Sequence, residues 1–225
     1  MPAEVLGQDS VESRAGQSRG ISNKAIYTMV ERALARRNIQ GTLIADVGCG
    51  VGNLYGFVRS RFKRYIGVDV LKYADFPVDA EFVQIDLDSR GITLPCGRVD
   101  VTAAVETIEH LENPREFMRK LAATVKPGGW VVVTTPNQLS LYSLLMLIFK
   151  HRFGAFQDVH YPTHLTALLE IDLIRIATES NLKECDIEYS LSGRIPLTPW
   201  HYPRFLAKLF PRRLSDNVLL IGKKN

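Results

Sequence analysis

Cysteine is scarce in this chain of 225 residues: Cys49, Cys96 and Cys185 are odd in number, far apart and without a C-x-x-C pair. That excludes a disulfide framework and a thiolate zinc site, and it fits a reducing cytosol. Long apolar runs are missing too. The best candidate, Ser140 to Lys150, falls well short of the about twenty residues that a bilayer span requires. Met1 to Gly20 has no apolar stretch of the kind a secretory signal needs, and its polar composition predicts a disordered tail over residues 1–20. Charge of one sign is also in short supply. The formal net charge of +4 comes from short clusters such as Arg61-Phe-Lys63-Arg64, Lys150-His-Arg152 and Arg212-Arg213. A nucleic-acid footprint requires a denser stripe with interleaved aromatics, so no nucleic-acid partner is expected. Short basic clusters beside apolar segments equally suit an anionic membrane surface.

What is present is enough apolar residue, 46% of the chain, to bury the core of one α/β domain over 21–225. Ile26, Val30, Ala33 and Leu34 recur at helical spacing between Lys24 and Arg37. Leu43 to Val47 reads as a first strand, Arg64 to Asp69 as a second, Glu81 to Ile85 as a third and Val99 to Val105 as a fourth, apolar enough for burial on both faces. Asn113, Pro114 and Glu116 supply N-cap, N1 and N3 of a helix whose apolar positions are Phe117, Leu121 and Val125, and Pro127-Gly128-Gly129 stops it. Trp130 to Thr135 follows as a fifth strand.

Past Pro136 this alternation is interrupted by an insert around 138–165, expected to form a lid or acceptor region. Thr166 to Ser180 then reads as a helix, and Leu182 to Tyr189 and Asn217 to Gly222 as a closing antiparallel pair. The predicted fold is a Rossmann-like α/β doubly wound sheet of about seven strands, mostly parallel with an antiparallel last strand.

The most informative segment is Asp46-Val-Gly48-Cys49-Gly50-Val-Gly52, where an apolar strand breaks into alternating glycines. Glycine permits a positive φ there and lets backbone approach a ligand. Asp69 closes the next strand, where a carboxylate can accept hydrogen bonds from ribose hydroxyls. Asn53 stands where a dinucleotide fingerprint needs its last glycine, so the spacing points to a ribose-bearing ligand without fixing it as a dinucleotide. Asp86 and Val105-Glu106 end the third and fourth strands. Four successive strand tips thus turn polar together, on the side where open parallel sheets bind ligands.

The motif, together with Val125-Lys-Pro-Gly-Gly-Trp130, resembles the class I S-adenosylmethionine-dependent methyltransferases from Leu43 to Asn137. The resemblance implies S-adenosylmethionine as cofactor and a binding set of Asp46, Gly48, Cys49, Gly50, Asp69, Val70, Asp86, Leu87 and Val105. Gly48 and Gly50 would hold the methionine part, Asp69 the ribose, Asp86 and Leu87 the adenine edge, and the Val105 backbone would lie near the sulfonium. Displacement at an already activated methyl needs mainly alignment. A hydroxyl acceptor also benefits from a general base or a metal.

Glu106-Thr-Ile-Glu109-His110 is similar to the E-x-x-E-H segment of ubiquinone-biosynthesis O-methyltransferases and small-RNA 3′-end methyltransferases. This implies Glu106, Glu109 and His110 as ligands to a divalent metal, Mg2+ or Mn2+. His110 is equally a candidate base. His160 and His164 come from the insert, with Pro162 between them excluding a regular zinc helix. Either can reach the pocket, and His160 is the preferred catalytic residue.

On the acceptor side, Leu139 to Phe149 is either a buried lid helix or a segment that dips into a membrane interface with Lys150, His151 and Arg152 at headgroup level, making 139–152 a candidate peripheral contact at the inner membrane face. The expected reaction is O-methylation of a small-molecule, sugar or lipid-linked sugar hydroxyl in a pocket containing Gln157, Asp158 and His160. A prenylated phenol of quinone synthesis is the alternative acceptor, and a non-catalytic S-adenosylmethionine-binding domain the alternative role. Phe153, Phe156, Tyr161 and Trp200 suit either acceptor.

Overall fold

The computed structural model describes residues 20–89 and 97–225, so Cys96 and all of the expected tail except Gly20 lie outside the described residues. Seven strands form one sheet: β1 (Gly41–Val47), β2 (Phe62–Asp69), β3 (Glu81–Gln84), β4 (Val99–Val105), β5 (Val125–Pro136), β6 (Leu182–Tyr189) and β7 (Asn217–Lys224). Their spatial order is β3-β2-β1-β4-β5-β7-β6. β1 pairs parallel with β2 and β4, and β7 runs antiparallel to both β5 and β6. The chain therefore moves outward from β1 to β3, then restarts on the other side of β1 at β4. That reversal opens a crevice beyond the carboxyl ends of β1 and β4.

The helices cover both faces because strand residues alternate in direction. Ile44 of β1, Val132 of β5 and Leu219 and Ile221 of β7 pack with α1 (Lys24–Arg36) through Ile26, Met29, Val30, Ala33 and Leu34. Their neighbours Ala45, Val47, Val131, Val133, Val218 and Leu220 face the other way. There α3 (Pro114–Thr124) contributes Phe117, Met118 and Leu121, and α5 (Glu170–Glu179) contributes Leu173, Ile176 and Ala177. A short α2 (Tyr55–Val58) follows β1 and packs on the same face as α1.

Capping follows the sequence closely. The Asn113 side chain accepts from the Glu116 amide at 3.0 Å, with Pro114 in the first turn of α3, and Asn23 accepts from Ala25 at the start of α1.

The largest departures from the expected boundaries are at the starts of β5 and α5. β5 begins at Val125, not Trp130, because Val125 pairs with Val99 across an irregularity that realigns Val101 with Trp130. α5 begins at Glu170, not Thr166. The amides of Leu165 and Thr166 bond to the Glu109 carbonyl at 2.8 and 3.1 Å, holding the chain out of the helix. The apolar insert forms α4 (Leu141–Lys150), capped by Ser140 and closed by His151 at φ 55. Of its ten residues only Ser143 is buried. The last helix is α6 (Arg204–Leu209). No helix of the described residues is long and apolar enough to cross a membrane.

Candidate active site

A cavity of about 600 Å³ occupies the crevice, within the roughly 300 to 1,000 Å³ usual for small-molecule sites. One end is built by strand tips and the loops that follow them: Gly48, Asp69, Val70, Asp86, Leu87 and Val105, with Ile21, Ser22, Asn23 and Ile26 from the entrance to α1. Gly48 has a φ of 77°. A Cβ there would collide with the Thr107 side chain, which donates its hydroxyl toward the Val47 and Val105 carbonyls and so ties the β1 and β4 tips together.

The Asp69 carboxylate is held by backbone amides. Gly50 N–H donates to Oδ2 at 2.7 Å and Val70 N–H to Oδ1 at 2.7 Å. Oδ1 also accepts a longer bond from the Leu71 amide at 3.5 Å, and Oδ2 keeps a second lone pair for a ligand hydroxyl. Burial pushes the Asp69 carboxyl up from its ordinary value, and these amides oppose that. Asp86 closes its own turn, accepting from the Asp88 amide and the Ser89 hydroxyl.

The remaining residues of the expected cofactor set stand behind this wall. Asp46 is buried within β1 and accepts from the Tyr65 hydroxyl, and burial foremost raises its carboxyl to about 7. Cys49 is buried against Gly67, its thiol pushed up by burial. Gly50 acts through its amide on Asp69.

The other end holds the Glu-x-x-Glu-His segment and the insert. Glu106, at φ 51°, is engaged by the sheet: Thr134 Oγ1 donates to one oxygen at 2.8 Å and Asn217 Nδ2 to the other at 2.7 Å. Burial raises its carboxyl well above the ordinary range, and Glu109 adds to the shift. Glu109 is fully buried, and neither carboxylate oxygen has a hydrogen-bond partner among the described residues. Burial pushes it to about 8; the nearby Thr135 hydroxyl opposes that, though not in hydrogen-bonding geometry.

His110 Nδ1 lies 2.8 Å from the Thr163 carbonyl. A carbonyl only accepts, so Nδ1 carries the proton and Nε2 is the basic nitrogen. His164 stands beside it, ring centroids 4.8 Å apart, and burial with the neighbouring His110 lowers it to about 4.

Ligand atoms of Glu109, His110 and His164 all lie within 4.8 Å of one another. A shared ion with bonds near 2.1 Å would draw such a set slightly together. A buried carboxylate without a donor beside two imidazoles is the chemistry a divalent ion satisfies. The structure thus brings Glu109 and His110 together with His164, while Glu106 faces Thr134 and Asn217. His160 is not part of the cavity wall. Its Nδ1 accepts from the Gln157 amide at 3.2 Å and its ring stacks on His164 at 5.4 Å, so it stands behind that residue.

Gln157 and Asp158 also lie outside the lining, which at this end adds four further polar residues, Arg194, His201, Asp216 and Asn217. These four were not anticipated. They come from the segment between β6 and β7 and from the first residue of β7, where no local motif marks them, and Arg194 is set in place by Asp216 at 3.1 Å and by the Tyr142 ring at 4.3 Å.

Strand order, with a glycine turn after β1 and a carboxylate ending β2, gives the Rossmann-like fold of the S-adenosylmethionine-dependent methyltransferases. A model of the family described as methyltransferase domain matches residues 23–185, and the chain belongs to that family.

Among curated relatives, a protein named Ubiquinone biosynthesis O-methyltransferase from Bordetella avium is 32% identical over 110 residues, which is 45% of each chain. One of the same name from Burkholderia pseudomallei is 27% identical over 164 residues, 68% of this chain and 70% of that protein. The match therefore spans less than half of the Bordetella protein's length. Among solved structures, a SAM-dependent methyltransferase from Archaeoglobus fulgidus superposes with a TM-score of 0.61 over 99% of this chain and 100% of its own, at 19% identity. That likeness concerns the fold.

Proposed function

We propose that this protein transfers the methyl group of S-adenosylmethionine to a hydroxyl oxygen of a small or lipid-linked acceptor. The observation that carries the reading is His110, which lines the cavity and holds its Nδ1 proton against the Thr163 carbonyl, so that Nε2 is the nitrogen that would take a proton. Asp69 would accept from the ribose hydroxyls, and Asp86 with Leu87 would border the adenine. The cavity between Val105 and His110 would seat the methyl group and the incoming oxygen.

In the transfer the acceptor oxygen forms a bond to the methyl carbon as the carbon–sulfur bond breaks, the electron pair staying on sulfur. The hydroxyl proton passes to His110 Nε2. Orientation supplies most of the acceleration, up to roughly 7 to 11 kcal/mol, and the base contributes about a hundredfold to ten-thousandfold. Arg194, His201, Asp216 and Asn217 would hydrogen-bond the acceptor's polar part, in keeping with a sugar-bearing molecule. The relatives' name favours a second reading, in which the acceptor is a phenol of quinone synthesis.

Metal assistance is favoured by the unpartnered Glu109. Glu109, His110 and His164 would hold the ion, and two imidazoles with one carboxylate suit manganese or zinc better than magnesium. Such an ion would lower the pKa of a bound hydroxyl. Nε2 of His110 cannot bind an ion and take a proton at once, so the two roles are alternatives.

The test is to incubate the protein with labelled methyl donor and fractionated cell extract, with and without chelator, and with His110→Ala. Label as a methyl ether in a lipid, polysaccharide or quinone fraction, reduced a hundredfold or more in His110→Ala, is expected. Chelator resistance assigns His110 as the base and chelator sensitivity as a ligand. Label on nitrogen, or undiminished transfer by His110→Ala, would overturn the proposal.

A further inference from the structure

Two segments frame the acceptor end of the cavity and differ from the rest of the chain in the same way. The first, 139–165, carries α4; the second, 194–213, carries α6. They adjoin: the Leu141 amide donates to the Arg213 carbonyl at 2.8 Å, and the Arg213 guanidinium donates to the Leu139 carbonyl at 3.0 Å.

Both leave large apolar side chains in solvent. Ile148 and Phe149 at the end of α4 are 65% and 76% exposed, and Phe205, Leu209 and Phe210 on and after α6 are 61 to 68% exposed. A folded chain seldom leaves this many large apolar side chains uncovered on adjoining segments. The charge is as uneven. Of the chain's 28 Lys and Arg, seven fall in these 47 residues; of its 24 Asp and Glu, one does, Asp158. The two segments therefore carry a net +6, and the rest of a chain of net +4 carries −2.

Asp158 is neutralised by Arg152 at 3.0 Å, and Arg194 and Arg212 are paired with Asp216 and Glu170. Lys150, Arg204 and Lys208 have no ion-pair partner among the described residues.

We infer that this two-limbed face seats the protein on the surface of an anionic bilayer, with the ends of α4 and α6 immersed at the headgroup boundary. Apolar side chains supply the insertion and the unpaired cations the attraction to acidic headgroups. A second copy of the chain fits poorly, because it would set one basic face against another. Neither α4, of ten residues, nor α6, of six, can cross, so the association is peripheral. Because the same segments contribute Ala155, Thr163, His164, Arg194 and His201 to the cavity, docking would bring its acceptor end close to the lipid. The inference does not depend on the identity of the acceptor or on methyl transfer.

The test is co-sedimentation of the full chain with vesicles of neutral phosphatidylcholine and with vesicles containing phosphatidylglycerol. Binding to the anionic vesicles is expected, strongly reduced when salt is raised from about 0.1 M to about 1 M. Ile148→Ser with Phe149→Ser, and separately Phe205→Ser with Leu209→Ser, should each weaken partitioning by about tenfold or more. Lys150→Glu with Lys208→Glu should weaken it by at least about fivefold per residue. The substituted side chains are exposed, so thermal melts should be unchanged and a loss of binding can be read directly. Failure to bind the anionic vesicles, binding unaltered by either apolar pair, or concentration-dependent self-association that the same substitutions abolish would overturn the inference. Methyl-transfer activity in solution bears on the proposed function alone.

Discussion

Glu109→Gln is the substitution whose consequence the structure fixes most closely. The wild-type carboxyl has an ordinary value of 4.5 and burial holds it near 8 in the folded chain. Between those values the unfolded chain releases this proton while the folded chain keeps it. The folded state then binds more protons, and stability falls as pH rises across the window.

A proton bound fully in one state and not the other is worth about 1.4 kcal/mol per pH unit. Allowing for partial titration near pH 8, the wild type should lose about 2 kcal/mol between pH 6 and pH 8 on account of this residue. Glutamine has the same shape and does not titrate. Other buried acids, including Asp46, are present in both proteins and cancel in the difference; Glu106, relieved of a neighbouring charge, shifts in the same direction as the main effect. Urea unfolding of both proteins at pH 6, 7 and 8, with chelator present, measures this. The stability difference should move in favour of the variant by about 2 kcal/mol over the range. Parallel pH profiles would show that Glu109 is already ionised in the fold, and would refute the assignment of a dry, unpartnered carboxyl.

Gly48→Ala should destabilise the chain by about 1 to 3 kcal/mol, because a Cβ at φ 77° is both strained and driven into Thr107; methyl-donor affinity should fall with it, as calorimetry would show. Gly56→Ala is the matched control. It lies in α2 with nothing within 4 Å of the added Cβ, and a thermal melt should show it neutral or stabilising by up to about 1 kcal/mol. Asn113→Ala removes the side-chain cap of α3 and should cost about 1 kcal/mol in urea unfolding.

The parts of this molecule legible in its sequence are those whose causes are local. Asn113 and Pro114 mark the start of α3 because a cap acts within one turn, and Gly48 and Asp69 mark two strand tips because a strand must break where backbone meets ligand. A doubly wound, mostly parallel sheet followed from alternation and from the apolar runs of β4 and β5. Elements governed from a distance were not legible. The start of α5 is displaced by the Glu109 carbonyl, more than fifty residues earlier.

Glu106 reads as a metal ligand by resemblance to the E-x-x-E-H segment, yet Thr134 and Asn217 occupy its two oxygens from β5 and β7. His164 reaches the cavity through the packing of the insert, and Arg194 through Asp216 and the Tyr142 ring, which no periodicity records. α4 was ambiguous because apolar composition reports that a face seeks a partner, not whether the fold supplies one.

The account rests on methyl-donor binding at the carboxyl ends of β1 to β4, and titration calorimetry with S-adenosylhomocysteine tests it most directly. Saturable binding is expected in the wild type, weakened by about 1 to 3 kcal/mol in Asp69→Ala through loss of charge-assisted hydrogen bonds to the ribose. No binding to the wild type, or the same affinity in both proteins, would contradict it.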